Sequence, residues 1–401
     1  MASIAARLFS FLASWIALQL ISNKELGIVL FAYSIILFML PVGGFGLHQS
    51  LLRYGSLLKT PEEKNSMFRY AFYKGIWAST IIIILLLLIS IFIDFQFENT
   101  KYYLAFLSLT IVPMYILELI KVQFRLQHKN KLFAITDVVF TLFLTFFILI
   151  FSYLFQAKGY AVALLLAPIF TLFVFIKKFK SDLNFTSKPI NITLEFWKYG
   201  VFASLSNVVT QLLFVIDILL IGFLLNDSEM VTNFKYISLI PLSLLFLPRV
   251  FINTDFVAFT ENIYNKNYIV KYIKSYLLLF FLISIGLSLF FMYFSEFILT
   301  LFDTNLVQYI DSFNILITGV FGILILRGLF GNLISSIGKA QVNFYITSIA
   351  LLLNVVSNYY LIPKYGIKGA AITSAILMWF TGIGSALFFW WYYTNRFLSK
   401  K

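Results

Sequence analysis

The chain has no cysteine, which excludes disulfides and thiolate metal sites. Its only histidines, His48 and His128, stand far apart in the sequence. There is no HExxH helix, no Walker-type glycine loop and no Gly-x-Ser-x-Gly elbow, so the familiar signatures of metallohydrolases, ATPases and serine hydrolases are missing. No cofactor is implied. Charge is also scarce: 12% of the 401 residues are charged, against about a quarter in soluble domains.

What fills the chain instead is apolar, at 61% of residues, with 48 Phe and 23 Tyr. A soluble fold of this length has no way to hide that surface, whereas lipid solvates it directly. One membrane-crossing helix takes about 20 mainly apolar residues. Reading apolar runs between polar breaks gives about twelve spans, near 4–21, 27–50, 75–93, 102–120, 132–155, 160–176, 199–225, 231–252, 275–294, 310–333, 342–362 and 368–394. The first is read as a retained helix, because Leu20-Ile21-Ser22-Asn23-Lys24 offers no small-x-small cleavage site.

Placing the N-terminus in the cytoplasm puts 23 Lys and Arg on the inner side and six, including Lys24, Lys158 and Lys235, on the outer side. This asymmetry follows the positive-inside rule and places both termini in the cytoplasm. The net charge of +13 is therefore a topological signal and not a nucleic-acid footprint.

The chain also repeats itself. Lys129-Asn130-Lys131 and Ile337-Gly338-Lys339 open spans five and eleven, while Ala157-Lys158-Gly159-Tyr160-Ala161-Val162 and Ile367-Lys368-Gly369-Ala370-Ala371-Ile372 open spans six and twelve. Phe38-Met39-Leu40-Pro41 matches Leu245-Phe246-Leu247-Pro248. Three matches at offsets near 208 residues imply two six-helix halves around a central cavity, a common transporter plan. The halves are read as 1–176 and 199–401, joined by a cytoplasmic connector over 177–198 that contains Pro189.

The segment from Leu20 to Gly27, the run Gly46-Leu47-His48-Gln49-Ser50-Leu51-Leu52-Arg53-Tyr54, and Tyr365-Gly366-Ile367-Lys368-Gly369-Ala370 resemble the polysaccharide and O-antigen flippases. These belong with the multidrug extruders and the lipid II flippase in one exporter superfamily. The resemblance covers essentially the whole chain in span number and halves, although its motifs are permissive. It implies a lipid-linked oligosaccharide, carried on undecaprenyl diphosphate, as substrate in the bacterial plasma membrane. It implies membrane lipids, and the polymerase and chain-length proteins of the same pathway, as partners. One departure is the short lead before span one, which points to a truncated or misassigned start.

Ionisable groups inside spans are costly and usually face a bundle interior or pathway. Arg7 in span one suits a diphosphate, since a guanidinium donates two parallel hydrogen bonds to phosphate oxygens; it is equally placed to snorkel to headgroups. Arg53, Arg249 and Arg327 lie near inner ends of spans and suggest a basic vestibule, or simply helix anchors. Ser204, Asn207, Thr210, Gln211 and Asp217 form a polar stripe on span seven, and Asn343, Thr347, Asn354 and Asn358 form one on span eleven. Asn207, Gln211, Asn354 and Asn358 suit sugar hydroxyls, which need donors and acceptors. Asp217, Asp137 and Glu118 are the acids clearly inside spans and the candidates for ion coupling. Glu118 is also placed to pair with Lys121, three residues on.

The reading is of an all-α transporter that flips a lipid-linked oligosaccharide by alternating access. A multidrug or cation antiporter of the same architecture is the alternative. A polymerase or ligase of the same pathway is disfavoured, because the longest outer loop, about 295–309, contains no basic residue.

Overall fold

A computed structural model describes residues 2–92, 95, 97–183, 192–248, 262–337 and 339–397. Among them there is no strand. Among the described residues, nine helices are long and apolar enough to cross a membrane, and a tenth if the two parts of the Leu194–Leu225 helix count as one span. Asn130–Lys180 is 51 residues long and carries predicted spans five and six, and Ala5–Leu20, a shorter apolar helix, is span one. Each predicted span thus has a helical counterpart among the described residues, and the chain is a multi-pass membrane protein.

The chain folds as two compact units, Met1–Gln211 and Leu212–Lys401. The division falls inside span seven; part of the 177–198 connector lies outside the described residues.

In the first unit, α1 (Ala2–Leu20) packs along α7 (Asn130–Leu183), where the Thr145 hydroxyl donates to the Phe9 carbonyl at 2.9 Å. Span two is broken. α2 (Asn23–Met39), capped by the Ser22 hydroxyl, gives way to a 3-10 turn over Leu40–Gly46 before α3 (Leu47–Leu57) resumes. The sequence explains the break. Pro41 has no N–H to donate, and Gly44 and Gly46 take positive φ. Neighbours then pin it: the Gly44 N–H donates to Ser79 Oγ at 2.9 Å, from α4 (Pro61–Phe92). Such repair is what allows irregular backbone at membrane depth. α5 (Thr100–Ser108) and α6 (Ile111–Leu126) together make span four.

Each unit contains a helix hairpin built in the same way. α7 reverses at Gln156 (φ 52°, ψ −128°), so that Phe147 and Phe170 meet at 4.9 Å between ring centroids. The rest of the second unit comprises the end of α8 (Leu194–Leu225), α9 (Ser228–Ser243), α10 (Lys266–Phe302), α11 (Ile310–Gly322) and α12 (Gly328–Ser336). Its closing hairpin is α13 (Ala340–Tyr365) and α14 (Ile367–Tyr392), which meet at Gly366 (φ 57°, ψ −137°). Three residues after each reversal stands a glycine, Gly159 or Gly369, pressed onto the carbonyl of Phe151 or Leu361. The 210-residue offset read in the sequence therefore maps one hairpin onto the other.

Acids serve as caps in the second unit, with the Asp227 carboxylate accepting from Glu229 N and Met230 N. α11 and α14 approach through small residues. A Cβ on Gly319 would lie 2.5 Å from Ala375 Cα, and one on Gly382 2.7 Å from the Gly322 carbonyl. Close backbone approach of this kind supplies the van der Waals attraction that drives helix association in lipid. Lys235, counted above with the outer loops, lies inside α9.

Candidate functional site

The described residues hold three polar centres. One belongs to the first unit, two to the second.

The first-unit centre grows from the broken span. Pro41, His48 and Gln49 around the break, Met114, Tyr115 and Glu118 of α6, and Asn207 and Gln211 of α8 line a cavity of about 400 Å³. Gln49 and Asn207 also line a second cavity, of about 560 Å³, with Arg53, Ser56, Arg125 and Tyr199. α3 and the start of α8 come close enough to frame it because two glycines meet: a Cβ on Gly46 would lie 2.1 Å from the Gly200 carbonyl. The Ser50 hydroxyl donates to the Phe196 carbonyl at 2.6 Å and Trp197 Nε1 donates to Tyr70 Oη at 3.0 Å, fixing the first turn of α8. The exposed Arg53 guanidinium sits 4.6 Å from the Tyr199 ring centre, a cation–π contact that orients it. Among the described residues, no carboxylate lines the larger cavity.

Beside the smaller cavity, Lys121 joins both Glu118 (2.8 Å) and Asp137 (2.9 Å). The predicted Glu118–Lys121 pair is present, and Asp137 of α7 shares its cation. Two of the three intramembrane acids are thus held by one lysine.

The second-unit centres lie on the single polar stripe of α13. At one end, Arg327 ends a π-helical turn over Ile323–Arg327, whose freed Leu324 carbonyl accepts from the Tyr276 hydroxyl at 3.1 Å. Its guanidinium donates to Asn343 Oδ1 (2.9 Å), Thr347 Oγ1 (3.3 Å) and the Ser385 hydroxyl, and a Cβ on Gly331 would lie 3.7 Å from its Cζ. All three partners are neutral. At the other end, the buried Asp217 carboxylate accepts from Asn354 Nδ2 (3.0 Å), Asn358 Nδ2 (2.7 Å) and the Ser374 hydroxyl. These partners are neutral too. The groups that hold the two charges are centred eleven residues apart, about 16 Å along α13 at 1.5 Å per residue.

The predicted residues therefore separate. Arg53, Asn207, Gln211 and Glu118 line the first-unit cavities. Asn354 and Asn358 are ligands of Asp217, and Arg327 forms its own centre. Arg7 is exposed on α1 and lines neither cavity. Arg249 and the Thr210 side chain lie outside the described residues. Ser204 is buried and donates back to the Val201 carbonyl at 2.8 Å, a local bond and not a cavity contact. Sequence reasoning passed over His48 and Gln49, and Ser374 and Ser385. The first pair was signalled by the Pro41–Gly46 break just ahead of it, since polar residues after irregular backbone at membrane depth line cavities. The two serines carried no signal, being small residues on an apolar helix.

No protein-family model matches the chain, and no curated protein matches it. Solved structures do. The lipid II flippase MurJ in an inward closed conformation is similar at a TM-score of 0.75 and 19% identity, covering 96% of this chain and 86% of that one. An inward-facing multidrug resistance MATE family transporter of the MOP superfamily is similar at 0.70 and 15% identity, over 99% and 96% of the two chains. A MOP superfamily transporter from Pyrococcus furiosus, described by the reverse polarity of its binding pocket, is similar at 0.68 and 16% identity, over 100% and 94%. Along essentially its whole length, the chain has the fold shared by the lipid II flippase and the MATE transporters.

Proposed function

We propose that the protein is a flippase that moves a lipid-linked oligosaccharide, on undecaprenyl diphosphate, from the inner to the outer leaflet of the bacterial plasma membrane by alternating access. One observation carries the reading. The larger first-unit cavity presents Arg53 and Arg125 with no acid among the described residues of its lining. Paired guanidinium forks without a counter-charge suit a diphosphate. Arg327, with neutral partners only, is a third cation without an acid. Among the three intramembrane acids, Asp217 alone has no cationic partner among the described residues, so we assign it the coupling proton or metal cation, ahead of Glu118 and Asp137. On this reading both termini are cytoplasmic, and the polymerase and chain-length proteins of surface polysaccharide or O-antigen assembly act downstream.

The test is reconstitution into liposomes carrying a fluorescent prenyl-diphosphate oligosaccharide. Protein-dependent loss of the inner-leaflet pool, abolished by Arg53→Ala, is expected. Equal leaflet exchange with and without protein overturns the proposal. Asp217 also favours a second reading, a cation-coupled drug antiporter. That reading predicts that cells lacking the protein become sensitive to cationic drugs and show no build-up of lipid-linked repeat units.

A further inference from the structure

The two first-unit cavities adjoin through Gln49 and Asn207, yet their linings differ in kind. The larger has two arginines and no acid among the described residues. The smaller has Glu118, three amides and two rings, and no lysine or arginine among the described residues of its lining. Building on the flippase reading, we infer that the headgroup is held by two chambers in series, the smaller being the seat of the sugar next to the diphosphate and taking that sugar uncharged.

Three observations point to a hydroxyl-bearing ligand there. Gln49 Oε1 and His48 Nδ1 are buried and have no hydrogen-bond partner, although both side chains line the chamber. Unpaired buried polar atoms are costly, and a ligand hydroxyl, which both donates and accepts, relieves them once the side chains turn toward it. Glu118 gives only Oε1 to Lys121, which leaves Oε2 to accept from a sugar hydroxyl. Asn207 and Gln211, from α8, each bring a donor and an acceptor to the lining. The remaining wall, with Pro41, Met114 and the His48 ring, offers apolar surface to the C–H face of a pyranose. At about 400 Å³ the space is at the small end of the range for small-molecule sites and has room for one hexose.

The electrostatics set the charge of that sugar. Glu118 and Asp137 share one Lys121, so the triad beside the chamber carries a net single negative charge. A uronate placed there meets a fixed like charge, whereas a neutral hexose does not.

The experiment measures binding of three synthetic short-chain prenyl diphosphates to the full-length protein in nanodiscs: the bare diphosphate, its glucosyl form and its glucuronosyl form. Wild type should bind the glucosyl form about tenfold more tightly than the bare one, the worth of one to two hydrogen bonds. It should bind the glucuronosyl form no better than the bare one. Gln211→Ala and the similarly sized, uncharged Gln211→Met should each erase the glucosyl advantage while leaving bare-diphosphate affinity as it was. Equal weakening of bare and glucosyl ligands by both variants overturns the two-chamber assignment, as does a glucuronosyl ligand that binds as tightly as the glucosyl one. Failure of the underlying reading looks different: wild type then binds none of the three, or Arg53→Ala changes none of them.

Discussion

Asp217 offers the sharpest test, because function and stability pull on it in opposite directions. A carboxylate buried among neutral donors is expensive, and replacing it with an uncharged group of similar shape is often neutral or stabilising. Removing one of its donors is different. Asn358 Nδ2 donates both to Asp217 Oδ1 and to Asn354 Oδ1 (2.9 Å), so Asn358→Ala strips one charge-assisted bond and leaves a second acceptor unpaired. A hydrogen bond to a charged group contributes roughly 1.5–3 kcal/mol and a stranded buried acceptor costs about 1 kcal/mol or more, which together give a loss of about 3 kcal/mol. Asp217→Asn, by contrast, should leave the melting temperature of the purified protein unchanged or higher while abolishing transport in liposomes. The assay is thermal unfolding in one detergent, alongside leaflet exchange for both variants. If Asp217→Asn melts as low as Asn358→Ala, the charge is structural and the coupling assignment fails. If Asp217→Asn transports normally, it fails as well.

Three further outcomes are expected. Gln156 adopts a left-handed conformation at which the equivalent hairpin uses Gly366, so Gln156→Gly should stabilise the protein by about 1 kcal/mol, read as a higher melting temperature. A Cβ on Gly75 would lie 1.9 Å from Tyr115 Oη, so Gly75→Ala should lower the melting temperature markedly, by about 3 kcal/mol of overpacking, and Tyr115→Ala in the same chain should recover part of it. Arg327→Lys should fold but transport poorly, because one ammonium cannot serve Asn343, Thr347 and Ser385 in the geometry of a planar fork; normal transport by this variant would show that only charge matters there.

The parts of this protein that were legible in its sequence are those written in long-range apolar pattern. Span positions follow from lipid solvation, and the Ala157–Val162 and Ile367–Ile372 segments matched because both must start a helix straight after a reversal. The α13 stripe was legible as well, since Asn343, Thr347, Asn354 and Asn358 keep helical spacing. What spacing does not encode is the partner. Nothing in the sequence said that two of these residues would hold a cation and two an anion, because the choice depends on Arg327, Asp217 and Ser374 arriving from other helices. The partner of Asp137 was hidden for a related reason: alone on its span it reads as an uncompensated acid, and only tertiary packing brings Lys121 to it. Span two, placed near 27–50, contains a proline, and one proline in an apolar run usually only kinks a helix, while the combination of Pro41 with Gly43, Gly44 and Gly46 breaks it.

The two charges held along α13 also have an electrical meaning. Opposite unit charges about 16 Å apart on a helix that crosses a hydrocarbon layer of about 30 Å sample roughly half of the transmembrane voltage, worth on the order of 1 kcal/mol per 100 mV. While Asp217 stays ionised, that dipole makes the energy of the second unit depend on membrane potential. A proton or cation arriving at the carboxylate cancels one pole and leaves Arg327 alone in the field. Loading the acid therefore changes how strongly the voltage acts on this half of the protein, with no helix having moved.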